Sequence, residues 1–119
     1  MSVDFLGCSF SDHLNLILGA IFNVGGISVI VDSVFQDISS EASVVSSINN
    51  GTISLSTSCF VGISVDIPGT VFVDDSSTLN FNLDNFGSGN EGGNGTCNSI
   101  FDEGSGLCLP FEAGSCLAQ

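Results

Sequence analysis

From residue 43 onward the apolar residues recur at every second position, and that period constrains the fold more than any other feature of the chain. Val61, Ile63, Val65 and Ile67 alternate with Gly62, Ser64 and Asp66, while Leu79, Phe81 and Leu83 alternate with Asn80 and Asn82. Successive side chains of a β-strand point to opposite faces, so this period describes strands with one face buried and the other in water. Asn50-Gly51 separates residues 43–49 from 52–59 and carries a strong two-residue hairpin signal, because a type I′ turn needs positive φ at both central positions. Pro68-Gly69 and the run Asp74-Asp75-Ser76-Ser77 read as further turns. A two-residue loop at Pro68-Gly69 would put Val71 and Val73 on one face with Ser64 and Asp66, so a bulge or a longer connection is expected there.

The first third of the chain reads differently. Leu14, Ile17, Leu18, Ile21 and Phe22 fall on one helical face, with Ser11 as N-cap, Asp12 in the first turn and Gly25 beyond the end. This pattern predicts a short amphipathic helix over residues 12–23, followed by a strand rich in β-branched residues from 27 to 35. The eighteen residues from Leu14 to Val31 carry no charge, the minimum length for a membrane span. Acidic flanks at Asp12 and Asp32, the interrupting Asn and Gly residues and the absence of an anchoring cation argue against insertion. Val3 and Phe5 alternate with Ser2 and Asp4, so residues 1–12 are expected to form an extended N-terminal arm able to complete a neighbour's sheet, the alternative being that they fold back onto their own domain.

The expected architecture is therefore a single mainly β domain over residues 1–119. It is a small antiparallel β-sandwich or jelly roll with one short N-terminal helix and a Cys-rich C-terminal tail. The helix and sheet body occupies 13–86, a glycine-rich loop 87–95, and the tail 96–119. No tandem repeat of twenty to fifty residues stands out, which gives a solenoid little support.

Charge excludes several functions. The chain holds no Lys or Arg, thirteen acids and one His, for a formal charge of −13. Nucleic acids and anionic lipid surfaces are recognised mainly by cations, so neither is an expected partner. Lysine Schiff bases and arginine clamps are absent with them. A glycosidase would place sugars on aromatic platforms, and there is neither Trp nor Tyr.

Five Cys point to an oxidising compartment, although residues 1–12 show no cationic signal region. Cys97, Cys108 and Cys116 contain no C-x-x-C pair, so a metal-thiolate site is not expected. Cys59, Cys97, Cys108 and Cys116 form two disulfides in one of three connectivities, leaving Cys8 as a spare thiol for a bridge between subunits or as a buried free thiol. His13 with a Cys is a conceivable base and nucleophile, but no catalytic signature accompanies it, and an enzyme is not expected. Asp84-Asn85 with Asn90, Glu91 and Asn94 is oxygen-rich; with Asp74 and Asp75 these carboxylates are calcium-ligand candidates, and no other cofactor is implied. Asn50-Gly51-Thr52 and Asn94-Gly95-Thr96 are glycosylation sequons. The expected function is a non-enzymatic, extracellular or cell-surface protein that assembles with copies of itself into a fibre, sheath or layer, through strand addition and disulfides. The alternative is a monomeric secreted module binding calcium, sugar or a protein.

Overall fold

The computed structural model of this chain describes residues 2–81, 84–93 and 97–112. The chain winds as a β-solenoid whose coils repeat about every 25 residues: Ser2 pairs with Ile27, Ile27 with Thr52, and Thr52 with Thr78. All pairings between coils are parallel. One wall contains β1 (Ser2–Leu6), β4 (Ile27–Val31), β7 (Thr52–Ser56) and β11 (Thr78–Phe81). The second contains β2 (Ser9–Leu16), β5 (Val34–Ser40), β8 (Cys59–Val61) and β12 (Phe86–Ser88), with β9 (Ser64–Val65) also paired to β5. The third contains β3 (Ile21–Val24), β6 (Val45–Ile48), β10 (Val71–Val73), β13 (Ile100–Asp102) and β14 (Leu107–Leu109). Only the β13–β14 pair is antiparallel within these sheets.

The antiparallel sandwich is thus corrected to parallel sheets in a solenoid. Period two survives, because a solenoid wall also buries alternate side chains; what the period does not encode is the direction of the neighbouring strand. Asn50-Gly51 does not close a hairpin. Asn49 and Asn50 do adopt positive φ, 54° and 64°, but they turn the chain from the third wall into the first, and β6 and β7 find their partners in the coils above and below.

No α-helix occurs among the described residues, so the helix expected over 12–23 is also corrected. Asp12 and Asn15 have φ of 59° and 60°, incompatible with an α-helix, and strand pairing takes over its backbone groups. His13 pairs with Ile38, Leu16 with Ser40 and Ile21 with Val45. Residues 2–6 are not a free arm but β1, paired within the chain to β4. Within the stretch read as a glycine loop, Gly87 and Ser88 belong to β12 and Glu91 bridges to Ser64, while residues 94–96 lie outside the described part.

The coils stack because equivalent positions carry compatible side chains. Phe10, Phe35 and Phe60 form a column with successive ring centroids 4.7 Å apart, matching the strand spacing. Gly87 occupies the next position in register with Phe60, and the ring of Phe111 fills the vacancy, 4.8 Å from Phe60. A Cβ on Gly87 would stand 2.3 Å from a ring carbon of Phe111. Gly87→Ala should therefore displace this plug and cost about 1–3 kcal/mol in chemical denaturation, the usual penalty of overpacking; an unchanged midpoint would show that the ring is not held there.

A polar ladder runs along the corner between the first and second walls. The Cys8 N–H donates to Ser33 Oγ at 3.2 Å, the Ser33 N–H to Ser58 Oγ at 3.2 Å, and the Ser58 N–H to Asn85 Oδ1 at 3.0 Å. The hydroxyls of Ser33 and Ser58 donate in turn to the carbonyls of Val31 and Ser56. Buried polar groups are thereby satisfied at a turn where the sheet ladders are interrupted. Ahead of them Gly7, Asp32 and Thr57 all adopt positive φ, so the same left-handed step redirects each coil.

Candidate functional site

The expected calcium ligands are not brought together. Asp74 and Asp75 lie at the corner between the third and first walls, Asp84 at that between the first and second, and Glu91 between the second and third. Among the described residues no group of three or more His, Cys, Asp or Glu is placed to hold a metal ion. The neighbouring amides have structural partners instead. Asn85 Nδ2 donates to the Leu55 carbonyl at 3.1 Å, and Asn90 receives the Ile63 N–H at 3.0 Å while donating to the Phe60 carbonyl at 2.9 Å. The oxygen-rich composition of this segment thus reflects side chains that staple successive coils. Asn94 lies outside the described residues.

Asp84 accepts the Thr57 N–H at 3.0 Å. Asp74 accepts the Asn49 N–H at 3.1 Å, the Ser76 N–H at 3.1 Å and the Ser76 hydroxyl at 2.9 Å. Partial burial pulls its carboxyl upward, but the Ser77 hydroxyl nearby and the donors on Asn49 and Ser76 outweigh this and hold it below the ordinary carboxylate value. Because the Ser77 hydroxyl is outside hydrogen-bonding geometry, we assign the effect chiefly to Asn49 and Ser76. The folded-state value is depressed, so this turn's contribution to stability is present above the unfolded value and fades as pH falls through the folded one. Carboxyl-carbon NMR should find Asp74 titrating below 3.8, the ordinary value; a midpoint at or above that value would contradict the bonding.

Cys97 and Cys108 are joined in a disulfide across the β13–β14 hairpin, and Cys59 is also disulfide-bonded. Cys116 lies outside the described residues. Cys8 is a free thiol, and its contact is the Leu6 carbonyl at 3.9 Å. His13 is exposed on β2. Among the described residues, one shallow groove lies beside Ser54, Ser56, Leu79 and Asn80, and another beside Gly89, Asn98, Ser99 and Phe111. Neither is lined by a titratable side chain.

The most unusual surface is the end of the solenoid formed by β1, β2 and β3. Nine large apolar side chains are exposed among the described residues, and eight of them fall between Val3 and Ile27. Leu14 is 71% exposed, Ile17 66% and Leu6 64%. Val3 faces inward like its register partner, buried Ser28, and half-buried Phe5 is in register with buried Ile30, but no described strand lies beneath them. Each of these strands pairs on one side only within its sheet, leaving backbone donors and acceptors along the other.

At the opposite end further segments lie on two of the three walls, with β14 and β11 as the edge strands. β14 turns back against β13, the Cys97–Cys108 bridge ties this hairpin, and Phe111 fills the phenylalanine column while Glu112 bridges to Phe86. The apolar excess of residues 14–22 carried a signal in the sequence, but a helix absorbed it. Comparison with known family models, curated proteins and solved structures finds no match to this chain.

Proposed function

We propose that this protein is a non-enzymatic structural subunit of an extracellular or cell-surface assembly, joined to further copies by β-strand addition. The observation that carries this reading is the solenoid end made by β1, β2 and β3, where the coil with unpaired strand edges also carries seven of the exposed apolar residues, from Val3 to Val24. Repeat folds need their terminal coils covered, because each coil buries its apolar face only against a neighbour. The disulfides support an oxidising compartment. Asn50 is exposed at a corner, in a position open to a glycan.

Repulsion among subunits of charge −13 opposes association, and salt screens it. Sedimentation velocity should therefore show mass rising as sodium chloride is raised from 0.05 to about 0.5 M, where the screening length falls to a few Å. Calcium should act no more strongly than magnesium at the same ionic strength, since the carboxylates occupy different corners. A chain that remains monomeric over the whole range would overturn the reading and favour the monomeric binding module.

A further inference from the structure

We infer that two copies of this chain pair through their β1–β2–β3 ends, about a two-fold axis lying in the interface, and that assembly through these ends stops at two. The inference rests on the self-assembly proposed above and adds the surface, the partner and the stoichiometry.

The two ends of the solenoid differ. Growth in one direction would seat the open end of one copy on the far end of the next, which requires a far end with three available edges. There, β14 leaves an edge of its own but runs opposite to β13, and the Phe111–Glu112 segment lies on the second wall, so the edges at the far end do not run in one sense as those of β1, β2 and β3 do. The open end therefore meets its complement most readily in another open end. Turning one copy over about an axis in that plane reverses the direction of its coil, so the edge strands meet antiparallel. In that arrangement each row of N–H and C=O groups faces a row with the same spacing.

Charge and area favour the same contact. Residues 2–26 carry two of the thirteen acids, Asp4 and Asp12, whereas residues 78–112 carry five, Asp84, Glu91, Asp102, Glu103 and Glu112. Apposed open ends therefore bring together the least acidic coils. A coil of roughly 25 residues at ~3.3 Å per residue has a perimeter near ~80 Å, so each end presents on the order of 500 Å² with its side chains. Pairing two removes about 1,000 Å² from water, the size at which specific interfaces begin.

Cys8 supplies an internal reporter. Its N–H donates to Ser33 as Ser33 donates to Ser58, and its thiol approaches the Leu6 carbonyl as those hydroxyls approach Val31 and Ser56. Cys8 is thus the outermost step of the polar ladder, at the rim of the open end, and pairing should shield it.

The test uses the whole chain in about 0.5 M sodium chloride, where a Debye length of a few Å suppresses the general repulsion. Sedimentation velocity should show monomer and dimer only, and N-ethylmaleimide should label Cys8 at least tenfold more slowly in the dimer than in the monomer. Val3→Lys with Ile17→Lys should abolish the dimer, while Leu107→Lys at the far end should leave it intact. Adding cations lowers the net negative charge, so loss of association in the double variant cannot come from increased repulsion. If that variant does not fold, the labelling rate decides without it. Species larger than two would refute the closed dimer while keeping self-assembly. A dimer labelled at Cys8 as fast as the monomer would refute the interface alone, and monomer under all conditions would refute both readings.

Discussion

Replacing Phe35 by alanine should lower the free energy of unfolding by about 3–5 kcal/mol, the range for a phenylalanine removed from a packed core. Phe35 is fully buried, stacked between Phe10 and Phe60 at 4.7 Å on each side. The cavity cannot readily collapse, because the neighbouring rings are fixed to strands whose spacing is set by backbone hydrogen bonds. For a chain of 119 residues, stability at ~0.05–0.15 kcal/mol per residue is about 6–18 kcal/mol. The variant should therefore lose a large part of the total. Phe10→Ala, at the half-buried end of the same column, should cost clearly less. Urea denaturation of both variants at low protein concentration checks this, and equal losses would show that the column does not act as a buried stack.

The alternation that identified strands was legible because each wall of a solenoid buries one face, as in the triplet Ile53, Ser54 and Leu55, where both apolar members are buried. Strand direction was not legible. Asn49 and Asn50 supply the left-handed step that a hairpin needs, and a solenoid corner uses the same step. The repeat was hidden by its sparse signature. Phe10, Phe35 and Phe60 recur at 25 residues, and Cys8, Ser33 and Ser58 recur beside them, but most other positions in a coil differ. Gly87 then breaks the phenylalanine series, and Phe111 restores the ring from much later in the chain. For the candidate site, the excess of apolar residues near the N-terminus was visible, but its meaning was not. Leu14, Ile17 and Leu18 fit a helical face, and only the left-handed Asp12 and Asn15 show why the chain cannot use it. Likewise Asp84, Asn85, Asn90 and Glu91 resemble a ligand set in sequence, whereas the side chains of Asp84, Asn85 and Asn90 are committed to stapling coils.

The Cys97→Ser/Cys108→Ser variant should lose about 3 kcal/mol of stability, with the loss concentrated in the terminal hairpin. The bridge closes a segment of sequence separation 11. In the chain-entropy model a loop of that length is worth about 3 kcal/mol, with native-state strain or residual unfolded structure able to reduce it. Replacing the cysteines is preferable to adding a reductant, because Cys59 is also disulfide-bonded and a reductant would not act on one bridge alone. Cys97 is buried, so a serine hydroxyl there adds the cost of an unpaired polar group. Few backbone pairs hold β14: it contacts the rest of its sheet through Ile100, Phe101 and Asp102. Amide exchange should therefore rise first in residues 100–109 while β5 and β7 stay protected, as expected when local opening precedes global unfolding. Uniform loss of protection would instead mean that the hairpin and coils form one cooperative unit. Under the pairing inferred for the open ends, releasing β14 also frees the β13 edge on which a further copy could build. Sedimentation velocity of the same variant should then show species larger than the dimer, whereas a variant that loosens the hairpin but still stops at two would show that another part of the far end limits growth.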